Sequence, residues 1–144
     1  MNRNEEALKA FIGIRRTADL LEKHVAEDVK RYGLNINEFG VLELLYHKGS
    51  SPVQKIKEKI LVASSSTTYV IDKLCAKGLV YRHQSEEDRR ITLVSLSHEG
   101  YTLIDEIFPS HAIAIEACFD SLNEEELSNL RTSLKKISAK VPTH

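Results

Sequence analysis

At 144 residues, 42% hydrophobic and 28% charged, the chain carries enough apolar material for a packed core, which excludes wholesale disorder. A formal net charge of −1 excludes a uniformly basic coat for nucleic acid, and two cysteines, Cys75 and Cys118, are too few for a disulfide framework. No apolar run reaches bilayer-spanning length and the opening residues 1–6 are too polar for a secretory signal, so a reducing, cytoplasmic setting is expected.

Along the chain, Phe11, Ile14, Ala18, Leu21, Val25 and Val29 recur at steps of three and four, which predicts a helix over residues 5–32 with Gly33 as its stop. Asn35 and Glu38 form a capping box that opens a second helix carrying Phe39, Val41, Leu42, Leu44 and Leu45. It ends at Lys48-Gly49. Residues 50–52 read as a short break, and Pro52 starts a third helix with Val53, Ile56, Ile60 and Leu61 inward. The run 63–68 opens a fourth helix, N-capped at Ser64, that continues to Lys77 with Gly78 as its stop. Two short helices joined by a tight turn define a helix-turn-helix.

The apolar period then switches from 3.6 to 2. Residues 79–82 and 91–96 read as strands, joined by the polar hairpin 85–90. A basic hairpin directly after a helix-turn-helix is a wing. A helix follows from residues 97–100 with Leu103, Ile104, Ile107 and Phe108, and Pro109 is expected to kink or interrupt it. Helical pattern resumes through Ile113, Ile115 and Phe119. Asn123 caps a last helix whose first turn holds Glu124, Glu125 and Glu126 and whose stripe is Leu127, Leu130, Leu134 and Ile137. The fold class is therefore mainly α with a small β-wing.

Charge is localised. Residues 52–90 carry eight Lys and Arg against five acids, a net +3, while the remainder is −4. The terminal helices expose more apolar face than the compact middle covers. Leaving a large aliphatic side chain in water forgoes about 1.5–3 kcal/mol, so the ends are expected to pack two copies together. Six histidines show no metal-ligand spacing, and no nucleophile-elbow, Ser-x-x-Lys, Walker or dinucleotide fingerprint occurs. Neither an enzyme nor a metal or other cofactor is expected.

The stretches 34–42 and 70–80, together with residues 87–100 from Asp88-Arg89-Arg90 through the strand to Ser97-x-x-Gly100, resemble the MarR family of bacterial regulators. The order and spacing of elements match over essentially the whole chain, with some likeness to the branch that senses quinones and phenols. The resemblance implies one domain over residues 1–144. In it, 34–97 form the winged helix-turn-helix lobe, and 1–33 and 98–144 are dimerisation helices. It further implies a homodimer on (pseudo)palindromic operator DNA, and repression relieved by a small-molecule effector or by oxidation.

In such a reader the recognition helix offers its N-terminal end to the major groove. Ser64, Ser65, Ser66, Thr68, Tyr69 and Lys73 are the candidates, with Val70, Ile71 and Leu74 facing the core. Arg90 is the candidate for minor-groove insertion, held by Asp88 two residues away, while Arg82 and Arg89 suit phosphates. Phe11, Arg15, His24, Phe39 and His111 are candidate effector contacts. Cys75, late in the recognition helix, is a candidate redox switch or a small core residue, and Cys118 reads as interface packing. A winged module that binds protein rather than DNA is the remaining alternative.

Overall fold

The computed structural model describes residues 1–60 and 66–143. They form two compact units, Met1–Pro109 and Ser110–His144. The first unit opens with α1, Arg3–Val29, started by Asn2, whose side chain accepts from the Glu5 amide at 2.8 Å. A 3-10 turn, Lys30–Tyr32, then closes on Gly33, whose φ of 74° lets its amide reach the Lys30 carbonyl at 2.9 Å. Helix α2, Ile36–Lys48, begins with the expected capping box: Asn35 Oδ1 accepts from the Glu38 amide at 2.8 Å, and Glu38 Oε1 accepts from the Asn35 amide at 3.0 Å. Then come α3, Val53–Lys59, and α4, Ser66–Ala76. The predicted cap Ser64 and the inward Leu61 lie outside the described residues.

A three-stranded antiparallel sheet carries the wing. β2, Val80–Gln84, pairs with β3, Thr92–Leu96, from Val80 opposite Leu96 to Gln84 opposite Thr92. The third strand, β1, Ser51–Pro52, occupies the stretch read as a simple break, with Ser51 opposite Val94. Proline is tolerated there because β1 is an edge strand. The Ser50 and Ser95 hydroxyls hydrogen-bond to each other, and His83 Nε2 lies 2.7 Å from Ser95 Oγ, tying the base of the wing together.

The core of the first unit draws on α1 to α4, β2, β3 and the helix that follows them. Val29, Leu34, Phe39, Val41, Leu42, Leu45, Ile56, Val70, Ile71, Leu74, Val80, Val94, Ile104 and Ile107 form one buried cluster. Ile104 and Ile107 come from α5, His98–Ala117, which starts in this unit and ends in the second. Pro109, expected to kink or interrupt that helix, lies inside it without ending it. Proline removes one amide, and the rest of the ladder persists.

Two polar ties cross the first unit. Glu38 is almost wholly buried, and its Oε2 lies 2.7 Å from Lys77 Nζ at the end of α4. The angles there fall outside hydrogen-bond geometry, so the contact is a charge pair, while Nζ donates to the Gly33 carbonyl at 2.8 Å. Lys77→Ala leaves a buried carboxylate without its cation. Breaking a fully buried pair costs about 3–5 kcal/mol, and because Lys77 is partly in water we expect about 1–3 kcal/mol in urea unfolding. An unchanged midpoint would refute the strut. At the other tie, Tyr46 donates to Asp105 at 2.6 Å inside an aromatic group with His47, Tyr101 and Phe108.

That hydrogen bond to a carboxylate pushes the Tyr46 phenol up from 10 to about 12, with burial and the Asp105 charge acting the same way. A raised phenol contributes stability that is whole below its ordinary value and is lost as pH rises through about 12. Subtracting the alkaline ultraviolet titration of Tyr46→Phe from that of the wild type should isolate one ionisation near 12. A midpoint near 10 would dismiss the Asp105 contact.

In the second unit, α6, Glu124–Lys140, opens at the expected cap Asn123, which also forms a capping box with Glu126 through bonds of 2.8 and 3.0 Å. Ile115, Phe119, Leu122, Leu127 and Leu130 are half-buried, whereas Ile113, Leu134, Ile137 and Val141 are exposed. Among the described residues no helix is long and apolar enough to cross a membrane.

Candidate nucleic-acid interface

Helix α4 divides as its sequence pattern requires. Thr67, Val70, Ile71 and Leu74 are buried, while Thr68, Tyr69, Asp72 and Lys73 face solvent. Lys73 Nζ sits 5.8 Å from the centre of the Tyr69 ring, so cation and ring stand as one exposed unit a helical turn apart. Ser66 begins the helix, and Ser64 and Ser65 fall outside the described residues.

The wing tip is built around Asp88. The loop closes where the Ser85 amide reaches the Ile91 carbonyl at 2.9 Å and the Ile91 amide reaches the Asp88 carbonyl at 3.0 Å. Asp88 Oδ1 accepts from both the Arg90 backbone amide and its Nε, and Oδ2 accepts from Nη2, all at 3.0–3.1 Å. The Arg90 side chain is nonetheless 90% exposed. These hydrogen bonds hold the Asp88 carboxyl below its ordinary value and raise Arg90 further. The fork is thus oriented by one carboxylate while the far side of the guanidinium faces outward. Arg89 is exposed beside it.

Arg82, expected on a phosphate, is engaged elsewhere. Its Nη2 lies 2.6 Å from Asp72 Oδ1 on α4, and its Nη1 approaches Cys75 Sγ at 3.6 Å. It therefore ties β2 to the recognition helix and leaves a partial guanidinium face to solvent. Asp72 was missed because nothing local marks it. Its partner is ten residues away in a different element.

The wing strand leads into α5 through a tight joint. Ser97 Oγ donates to the Gly78 carbonyl at 2.6 Å and accepts from the Gly100 amide at 3.0 Å. The Ser97 amide meets the Leu79 carbonyl at 3.0 Å. A Cβ at position 100 would stand 1.9 Å from that same carbonyl oxygen, so only glycine lets the first turn of α5 rest on the strand entry.

Four of the five candidate effector residues lie in the first unit. Arg15 lies over the Phe11 ring at 5.6 Å on the exposed side of α1, and His24 is exposed further along that helix. Phe39 is part of the core, and His111 belongs to the second unit. Cys75 is half-buried and Cys118 exposed, both free thiols. Among the described residues no group of three or more His, Cys, Asp or Glu is placed to hold a metal ion.

A helix presenting hydroxyl, ring and ammonium on one face, followed by an arginine-tipped hairpin, defines a winged helix-turn-helix DNA reader, the class to which many transcriptional regulators belong. The chain belongs to the MarR family, whose model matches residues 34–92. The HTH-type transcriptional regulator MhqR of Bacillus subtilis (strain 168) is 44% identical over 133 residues, covering 92% of each chain. Among solved structures, the S. aureus MepR–DNA complex shares the fold at TM-score 0.78 and 16% identity, covering 89% of this chain and 95% of that one. BpsR of Bordetella bronchiseptica, whose DNA binding is regulated by 6-hydroxynicotinic acid, shares it at TM-score 0.79 and 23% identity, covering 90% and 98%. The protein is a DNA-binding transcriptional regulator and not an enzyme.

Proposed function

We propose that this regulator is a cytoplasmic homodimeric repressor that grips a (pseudo)palindromic operator and lets go when a small aromatic effector binds. The observation that carries the DNA mode is the Asp88–Arg90 clamp, which orients a 90% exposed guanidinium at the wing tip. A pre-set fork of this kind suits the narrow minor groove. Tyr69 and Lys73, with Ser64, Ser65, Ser66 and Thr68, then meet the major groove, and Arg89 meets phosphate. The solved MepR–DNA complex, of the same fold, supports this docking.

Dimerisation is supported by the exposed apolar side chains of the terminal helices. Leu8, Phe11, Ile12 and Leu20 on α1 and Leu134, Ile137 and Val141 near the C-terminus are each more than two-fifths in water. A second copy of the same faces covers them and sets two reading heads about one helical turn of DNA apart. Regulation of the fold-mate BpsR by 6-hydroxynicotinic acid supports an aromatic effector.

Selection of bound fragments from random duplexes, followed by titration at several salt concentrations, tests the reading. We expect an operator with two half-sites and an affinity that falls steeply with salt. A monomer in sedimentation, or no salt-dependent duplex affinity, sinks it in favour of a protein-binding module. One contact favours a second control. The Arg82 guanidinium approaches Cys75 Sγ at 3.6 Å, and a modified sulfur there would displace Arg82 from Asp72. Diamide should then release operator from the wild type and not from Cys75→Ser.

A further inference from the structure

Side chains alternate along a strand, so Arg82 shares a face of β2 with buried Val80 and stands opposite buried Val94 on β3. At that place the face leaves the core, and the guanidinium turns to α4. Its Nη2 donates to Asp72 Oδ1 at 2.6 Å while Nη1 approaches Cys75 Sγ at 3.6 Å. The fork thus spans two residues three apart, neighbours on one side of the helix. β2 runs on to Gln84, and the loop beyond it carries Arg90. Arg82 therefore fastens the root of the hairpin to the recognition helix.

Asp72 calls for an explanation of its own. It is 60% exposed on the side of α4 that carries Thr68, Tyr69 and Lys73, the side offered to DNA. A free carboxylate there repels phosphate, whereas one held by a guanidinium is nearly neutral from a distance. An ion pair this open to water adds little to global stability, so what it supplies is direction.

We propose that Arg82 is a positioning residue and not a phosphate ligand: by holding Asp72 it sets the angle between hairpin and recognition helix, so that Arg90 and α4 reach their two grooves together. The proposal rests on the docking reading above. Without the tie the wing samples other angles, and each misaimed wing loses part of its Arg90 contact. A pair of this exposure biases such an equilibrium about threefold. The proposed dimer carries two, which makes on the order of tenfold in operator affinity.

The test measures operator affinity of the full chain at several salt concentrations for Asp72→Asn, Arg82→Gln, Arg82→Lys and the double change Asp72→Asn with Arg82→Gln. Charge alone predicts opposite signs, because Asn removes a repulsion and Gln removes an attraction. Positioning predicts one sign: Asp72→Asn and Arg82→Gln should each weaken binding by about tenfold, and the double change by no more. The salt slope should stay near that of the wild type, whereas losing two phosphate contacts would lower it by about 2. Arg82→Lys, which keeps a cation within reach of Asp72, should retain more affinity than Arg82→Gln. In an Asp72→Asn background, Arg90→Ala should cost about tenfold instead of about 100-fold, since a misaimed wing has less to lose. All four variants should keep the wild-type urea midpoint, which separates a misaimed wing from a folding defect. Asp72→Asn binding as tightly as the wild type, or a full 100-fold cost of Arg90→Ala in that background, overturns the proposal while wing docking stands. A wild type indifferent to Arg90→Ala sinks the wing docking, and the proposal with it.

Discussion

Gly100→Ala should destabilise the protein more than any other single methyl addition to a described glycine. In a helix this change ordinarily gains about 0.5–1 kcal/mol, because glycine has more backbone freedom to lose. Here the sign reverses. The new carbon would sit 1.9 Å from the Leu79 carbonyl oxygen and 2.9 Å from its carbon, well inside contact distance. Neither partner can retreat cheaply. The Leu79 carbonyl accepts from the Ser97 amide at 3.0 Å, and Ser97 Oγ grips the adjacent Gly78 carbonyl at 2.6 Å. Relief requires lifting the first turn of α5, which pulls at buried Ile104 and Ile107. We expect a loss of about 3 kcal/mol or more in urea unfolding at fixed protein concentration. Gly40→Ala is the matched control, since its Cβ meets Ile60 at an ordinary 3.6 Å, and it should gain roughly 0.5–1 kcal/mol. Equal stability of the two variants would mean that the joint between β2 and α5 is looser than described.

The same joint shows what a sequence can and cannot display. Ser97-x-x-Gly100 is visible as a helix start, but the reason for its glycine lies in Leu79, which no local pattern connects to it. The capping box at Asn35 and the cap at Asn123 were legible because each side chain meets an amide three residues on, and the inward face of α4 was legible because burial follows the helical period. Ties between distant elements were not. Lys77 reads as an ordinary last-turn cation until Glu38 is found beside it, and Arg82 reads as a phosphate ligand until Asp72 is. β1 escaped because two residues carry no period, and its pairing partner lies more than forty positions on. Phe39 illustrates the converse error. It is an aromatic in the right helix, but its place in the apolar stripe already assigned it to the core.

Arg90→Ala should have the largest effect on operator affinity with the least on the fold. The Arg90 side chain is 90% exposed and, among the described residues, hydrogen-bonds to Asp88, so unfolding should be unchanged. On DNA, an arginine placed in a groove is worth on the order of tenfold, and the proposed dimer carries two, so a loss of about 100-fold is expected at fixed salt. The slope of log affinity against log salt should fall by about 2, one released counterion per wing. Asp88→Asn separates orientation from charge. It keeps the guanidinium but weakens the two-pronged grip, so affinity should fall to an intermediate level with the slope nearly intact. Acid provides an independent reading of the clamp. Because the Arg90 hydrogen bonds hold the Asp88 carboxyl below its ordinary value of 3.8, the grip is complete above that range and is released only as pH falls through the lowered value. The wing should therefore keep its geometry across neutral and mildly acidic pH. An Arg90→Ala protein that bound operator as tightly as the wild type would move the minor-groove contact to another side chain, and Arg89 is the exposed cation next in line.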